Sequence, residues 1–305
     1  MAGGALIFGV TGQDGYYLRE KCKEHGVAVV GVARSVEADV RADVGDYDQV
    51  ERLVRSLEPA YVFQLAANST TRQEATLENH RTIATGTLNV LEAVFRHCPT
   101  ARVFIAGSAV QFNNAGKAIS EVDPFEATSG YSLARIHAAY AARYYRHLGV
   151  KTYVGYLFHH ESPYRKTGHV SQMVATAAAR ASVGSSEVLG LGDLDVEKEW
   201  TFAGDVARAM WTLVNQEHVW EAAIGSGETH SIEEWVQACF GVVGRDWRLH
   251  VREKRDFVPE YKRLVSDPST LKGLGWQPRV CFDELANMMV WRALEDLRET
   301  KSNCD

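Results

Sequence analysis

Short apolar runs alternate along the first half of this chain with stretches whose hydrophobic residues recur every three or four positions. Ala5 to Phe8, Val27 to Val32, Tyr61 to Leu65, Arg102 to Ala106 and Lys151 to Leu157 read as strands. Val50, Leu53, Val54 and Leu57 fall at the i, i+3, i+4, i+7 spacing that stripes one helical face. Further helices are predicted over Tyr16 to His25, roughly Glu78 to His97, and roughly Tyr131 to Leu148. Strands that are apolar throughout are buried on both faces, so the alternation predicts an α/β fold with a doubly wound parallel sheet. A ligand then belongs at the carboxyl ends of the strands. Beyond about residue 158 the alternation weakens and glycine turns appear at Gly190 to Gly192 and Gly225 to Gly227. Residues 1–157 are therefore read as the main domain and 158–305 mainly as a smaller α/β lobe completing a cleft, with some of its segments returning to the sheet.

The first crossover carries the most informative chemistry. Gly9-Val10-Thr11-Gly12-Gln13-Asp14-Gly15 lies between the first strand and the first helix. A glycine-rich turn opening a helix makes a pyrophosphate cradle, with backbone N–H groups and the helix dipole facing the anion. A plain glycine turn would look the same in isolation, but this one sits in a Rossmann-type pattern. After the second strand stand Arg34 and Ser35, where an acidic residue would hold a ribose 2′-hydroxyl. A cation and a hydroxyl suit a 2′-phosphate instead, so NADP is expected, with NAD as the alternative. Asp43 is placed to accept from the adenine amino group.

Composition narrows the partners. The 305 residues are 46% hydrophobic and 24% charged, with a formal charge of −6, which fits a soluble globular protein and argues against a nucleic-acid surface. Five scattered cysteines show no metal or disulfide spacing, and no run of apolar residues reaches membrane-spanning length. A cytoplasmic protein with no metal site and no membrane partner is expected. The group His159, His160, Glu161 and His169 lacks a usual zinc spacing and reads as a polar substrate loop.

Tyr131 and Arg135 are four apart on a predicted helix, and Ser108 closes the strand before it. A phenol has a reference pKa of about 10, so a fixed cation beside it is needed before it can accept a proton near neutrality. Arg135 is such a cation. With Ser108 orienting a sugar hydroxyl, Tyr131 takes its proton while the carbon-bound hydride passes to a nicotinamide.

At this point the chain resembles the extended short-chain dehydrogenase/reductase superfamily, and within it the GDP-mannose 4,6-dehydratases. The resemblance rests on ALIFGVTGQDGYYLRE around Gly9 to Gly15, LAANS at Leu65 to Ser69, PFEATSGYSLAR at Pro124 to Arg135, FHHESP at Phe158 to Pro163, and GDLDVEKEW at Gly192 to Trp200. It implies a bound NADP that takes a hydride from C4 of a GDP-hexose. It assigns to the cofactor Gly9, Thr11, Gly12, Gln13, Asp14, Gly15, Arg34, Asp43, Leu65, Ala66, Ala67, Tyr131 and Arg135. It assigns to the nucleotide sugar Ser69, Ser108, His159, Glu161, Val170, Asp193, Lys198, Arg255 and Glu260.

Departures from the family pattern decide how much carries over. The family's active-site strand ends in Ser-Thr-Ser-Glu, whose Glu removes the C5 proton before water leaves C6; here Gly107, Ser108, Ala109 and Val110 stand in those places. Valine accepts no proton, and losing a positioned base costs about 10²- to 10⁴-fold in rate. Arg135 replaces the usual lysine. Ser108-Ala109 followed by Phe112 is also similar to the sugar 4-epimerases of the same superfamily, which need no C5 base. A 4-epimerase acting on a GDP-sugar is therefore expected, ahead of a 4,6-dehydratase or a 4-keto reductase. A non-catalytic dinucleotide-binding sensor or assembly protein is the reading from another class. The segment from Ser35 to Ala42 is shorter than the loop that contributes to dehydratase tetramers, so a homodimer is expected.

Overall fold

Ala5–Phe8 forms strand β1, and all four residues are buried. Their side chains alternate between two cores: Leu6 and Phe8 enter one, Ala5 and Ile7 the other. This two-faced burial is why the run is apolar throughout. In the computed structural model, which describes residues 3–254 and 256–302, β1 pairs in parallel with β2 (Val29–Ala33) on one side and with β4 (Tyr61–Gln64) on the other. The short β3 (Val40–Arg41) extends the sheet beyond β2. On the opposite side follow β5 (Arg102–Ser108), β6 (Lys151–Leu157) and the strand Glu221–Ile224. The seven-stranded sheet is parallel throughout. Arg255 and residues 303–305 lie outside the described residues.

The helices Tyr47–Leu57, Gly86–His97 and Gly130–His147 cover one face, and Gln13–Glu24 with Ala203–Val214 cover the other. Several predicted boundaries move by one to three residues, two helix starts among them. The first helix starts at Gln13 rather than Tyr16, with Gly12 as its N-cap, so Gly15 lies inside its first turn. The helix expected over Glu78 to His97 begins at Thr76, and its turns from His80 to Thr85 widen to π-helix. Within that stretch the Thr82 carbonyl accepts from the side chain of Gln64 at the end of β4.

Chain order and architecture part company in the second half. The helix Ala203–Val214 and the strand Glu221–Ile224 belong to the main sheet. The lobe has its own core, where the helices Val170–Ser182, Ile232–Val242 and Phe282–Ser302 pack around Trp200, Trp235 and Met289. Among the described residues no helix is long and apolar enough to cross a membrane. The chain runs from β1 to β2 on one side and returns to β4 on the other, which leaves a crevice between the carboxyl ends of β1 and β4.

Candidate active site

The glycine turn closes that crevice from below. Gly9 has φ +88°, and a Cβ there would stand 2.7 Å from the backbone nitrogen of Ala66 at the end of β4. Glycine thus lets two strand ends approach closely. No side chain caps the helix that Gly12 opens, so its first-turn N–H groups are free to serve a ligand. Gly9, Thr11, Gly12, Arg34, Ser35, Asp43 and Leu65 to Ala67 line a cavity of about 260 Å³. Within it Arg34 is ion-paired to Glu78, and Asp43 is held by Arg81 at 2.9 Å and by the Gly45 N–H at 2.8 Å.

A second cavity of about 280 Å³ continues from the first, sharing Gly12, Leu65, Ala67 and Lys166 with it. Ser69, Ser108, Val110, Tyr131 and Arg135 line it together. Arg135 Nε donates to the Tyr131 phenolic oxygen at 3.1 Å, and its Nη1 donates to the Ala106 carbonyl. Arg135 is 6% exposed and Tyr131 9%, so this cation and phenol are fixed in a largely dry setting. Ser108 is positioned through its backbone, whose N–H donates at 2.8 Å to the side-chain oxygen of the fully buried Gln111. The arrangement can hold a hydroxyl and move its proton. Among the described residues lining this cavity, Asp14 is the one carboxylate.

Asp14 is already engaged. His160 donates from Nε2 to its Oδ1 at 2.8 Å and from Nδ1 to the Phe158 carbonyl at 2.7 Å. Two acceptors call for the doubly protonated ring. Burial alone would lower the His160 pKa, but the Asp14 carboxylate overrides it and holds it above the ordinary imidazole value. Burial likewise works to raise Asp14, and His160 holds it below the usual carboxylate range instead. The pair ties the end of β6 to the glycine turn.

Glu161 and Lys198, expected to face the sugar nucleotide, lie behind the cleft wall. Glu161 is fully buried, 3.0 Å from Arg165 Nε and 2.8 Å from His159 Nε2. Burial works to raise its pKa, but Arg165, His159 and Lys198 hold it well below the usual range. Lys198 is 7% exposed, sits over the Trp200 ring, and is pushed down to about 8 by burial. Glu161 offsets the charge of the half-buried Arg165 beside it and of the buried Lys198. Val170 opens its helix and packs on the lobe core, Asp193 is paired with Lys262, and Glu260 accepts from Thr71 at 3.3 Å; none of the three lines either cavity. Arg255 falls outside the described residues. His159 does line the cleft, with Nδ1 donating to the Glu199 carbonyl at 2.6 Å.

Sequence reasoning missed Tyr164, Arg165 and Lys166, all of which line the cleft. The adjacent basic pair Arg165-Lys166, one residue beyond the FHHESP segment, was the available signal.

A family model described as GDP-mannose 4,6 dehydratase matches residues 6–289. GDP-mannose 4,6 dehydratase 1 of Arabidopsis thaliana is 32% identical over 333 aligned positions, covering 99% of this chain and 92% of that protein. Among solved structures, RMD from Pseudomonas aeruginosa, complexed with NADPH, superimposes with a TM-score of 0.83 at 20% identity, covering 96% of this chain and 99% of that one. UDP-glucose 4-epimerase from Thermus thermophilus, in complex with NAD, gives 0.82 at 20% identity, covering 95% and 98%. The structural likenesses establish the Rossmann-type fold. With a family match spanning nearly its whole length, the chain belongs to the GDP-mannose 4,6-dehydratase family, within the extended short-chain dehydrogenase/reductases.

Proposed function

We propose that this protein is an NADP-dependent enzyme that transfers a hydride at C4 of a GDP-linked sugar, and that its reaction is 4-epimerisation. The observation that carries the reading is the composition of the second cavity: Ser108, Tyr131 and Arg135 face it together, and Val110 stands in it where the dehydratases carry their C5 base. The cleft fits a dinucleotide. Gly9 brings the backbone close, the uncapped helix start supplies N–H donors, and Arg34 with Ser35 line the adenosine end. Asp43 is occupied by Arg81, which leaves a cationic and hydroxylic setting suited to a 2′-phosphate. When bound, the nicotinamide accepts a hydride from the sugar and returns it.

The chain's own residues handle the proton. Ser108 holds the C4 hydroxyl, Tyr131 as the phenolate takes its proton, and the Arg135 Nε–H, donating to the phenolic oxygen, stabilises the negative charge that oxygen carries until the proton arrives. After the keto sugar turns over, Tyr131 returns the proton to O4. No proton leaves C5, so no carboxylate is required.

Incubation with GDP-mannose and related GDP-sugars in deuterium oxide tests this. A change of configuration at C4 without solvent deuterium supports epimerisation. Deuterium at C5 with loss of the 6-hydroxyl would refute it in favour of dehydration, and net NADPH consumption would show reduction. Failure of every GDP-sugar to reduce bound NADP would leave the non-catalytic reading.

The exposed faces of Gly86–His97 and Gly130–His147 support a homodimer. Leu88, Phe95, Leu133, Tyr140 and Tyr144 are each 40–58% exposed on these two packed helices, an apolar face that a second copy of the chain would cover. Light scattering on Phe95→Glu checks it: a monomer is expected. The unpaired, buried Cys22, Cys98 and Cys239 suit a reducing cytoplasm.

A further inference from the structure

Three consecutive long side chains follow the strand His160–Glu161, and each goes to a different place. Tyr164 docks on the first helix, its ring centroid 4.1 Å from that of Tyr16 and its hydroxyl donating to the Tyr16 hydroxyl at 3.0 Å. Arg165 turns inward to Glu161. With these two anchored, Lys166 is held at the junction of the two cavities and lines both. The other residues shared by the cavities are Gly12, Leu65 and Ala67, so Lys166 is the one charged group among the described residues at that junction.

Its freedom sets it apart from the other cations of the cleft. Arg34 is paired with Glu78, Arg165 with Glu161, and His160 with Asp14. Arg135 spends its donors on Tyr131 and the Ala106 carbonyl. None of the ion pairs among the described residues includes Lys166, and the carboxylate that feels its charge, Glu37, stands on the exposed loop after β2. An unpaired ammonium that lines the same cavities as a row of backbone N–H donors is half of an anion clamp.

We propose that Lys166 is a phosphate ligand, gripping a diphosphate at the cavity junction from the side opposite the glycine turn. This rests on reading the cleft as the joint site of a dinucleotide and a sugar nucleotide. Both carry a diphosphate, and the junction faces both. The strap 164–166 thereby ties the grip to the first helix through Tyr164 and to the lobe through Arg165.

The test is the affinity of wild type, Lys166→Ala, Lys166→Arg and Lys166→Glu for NADPH, NADH and GDP, by isothermal titration at low and at high salt. Lys166→Ala is expected to weaken at least one ligand about tenfold at low salt, the lower end for a hydrogen bond to a charged group. Lys166→Glu should weaken it further and Lys166→Arg should largely restore it. The difference should shrink at high salt, and the melting temperature should not move, because Lys166 makes no ion pair. Loss for NADPH and NADH alike, with GDP unchanged, assigns the grip to the cofactor's pyrophosphate; loss for GDP alone assigns it to the sugar nucleotide. Equal affinities in all four proteins, with wild type still binding NADPH, overturn the proposal and leave the cleft reading standing. A wild type that binds neither nucleotide removes the cleft reading and the proposal with it.

Discussion

Gly12 and Gly15 are three residues apart in one turn, yet alanine at the two positions should fail in different ways. An ideal Cβ on Gly15 stands 2.5 Å from Val10 Cα, 2.6 Å from the Gly9 carbonyl oxygen and 2.7 Å from the Val10 carbonyl carbon. All three are backbone atoms. Carbon atoms rest about 3.5–4.0 Å apart, so the first helix must back away from the turn by about 1 Å. Overpacking of this kind costs about 1–3 kcal/mol, which at about 2 °C per kcal/mol lowers the melting temperature by about 2–6 °C. The helix's first N–H groups move with it, and a displacement of about 1 Å in a positioning element costs about 10²-fold in turnover. At Gly12 the φ is −82° and the nearest atom to a Cβ is the Gly9 carbonyl oxygen at 3.4 Å, so Gly12→Ala fits the fold. The weaker N-cap and the reduced unfolded-state entropy offset each other to within about 1 kcal/mol. Because Gly12 lines both cavities, its added methyl should instead obstruct the cofactor and weaken NADPH by about tenfold or more. Thermal denaturation of the apo proteins and an NADPH fluorescence titration read the two effects apart. A Gly15→Ala protein that melts with wild type and binds NADPH normally would refute the packing argument, and so would a Gly12→Ala protein that unfolds.

Val110→Glu restores a carboxylate to the cavity that holds Tyr131, and should raise solvent-deuterium exchange at C5 of a bound GDP-sugar by about 10²-fold or more, read by NMR; no gain would show that the side chain at 110 does not reach C5. The His160–Asp14 pair predicts a pH window. His160 is raised and Asp14 lowered, so the stabilisation is complete between the ordinary values of about 4 and about 6.5. It is lost as pH rises through the raised His160 value or falls through the lowered Asp14 value. The stability gap between wild type and His160→Gln in urea should therefore narrow on the alkaline side, and a gap that stays flat would contradict the ion pair. Glu161→Gln leaves the buried Lys198 and the half-buried Arg165 without their carboxylate, so a loss of about 3 kcal/mol is expected by urea denaturation; a loss under about 1 kcal/mol would show the cluster to be hydrated.

The fold was legible because burial leaves a local trace. Strands β1, β4, β5 and β6 face cores on both sides, so the middle of each appears as an apolar run, and the stripe on Tyr47–Leu57 repeats at helical spacing. The two-residue β3, the early helix start, the widened turns at His80–Thr85 and the individual elements beyond residue 157, among them the strand Glu221–Ile224, escaped, since each depends on what packs beside it rather than on its own pattern. Of the site, the glycine turn and the Ser108, Tyr131, Arg135 set could be placed from the sequence, because strand-end and i, i+4 positions are fixed by element geometry. What the sequence could not decide is which charged residue meets ligand and which is consumed by a neighbour. Glu161, Lys198 and Lys166 are equally charged on paper. Tertiary packing buries the first two against each other's fields and leaves the third unpaired at the mouth, because desolvation and Coulomb terms depend on distances between segments far apart in the chain.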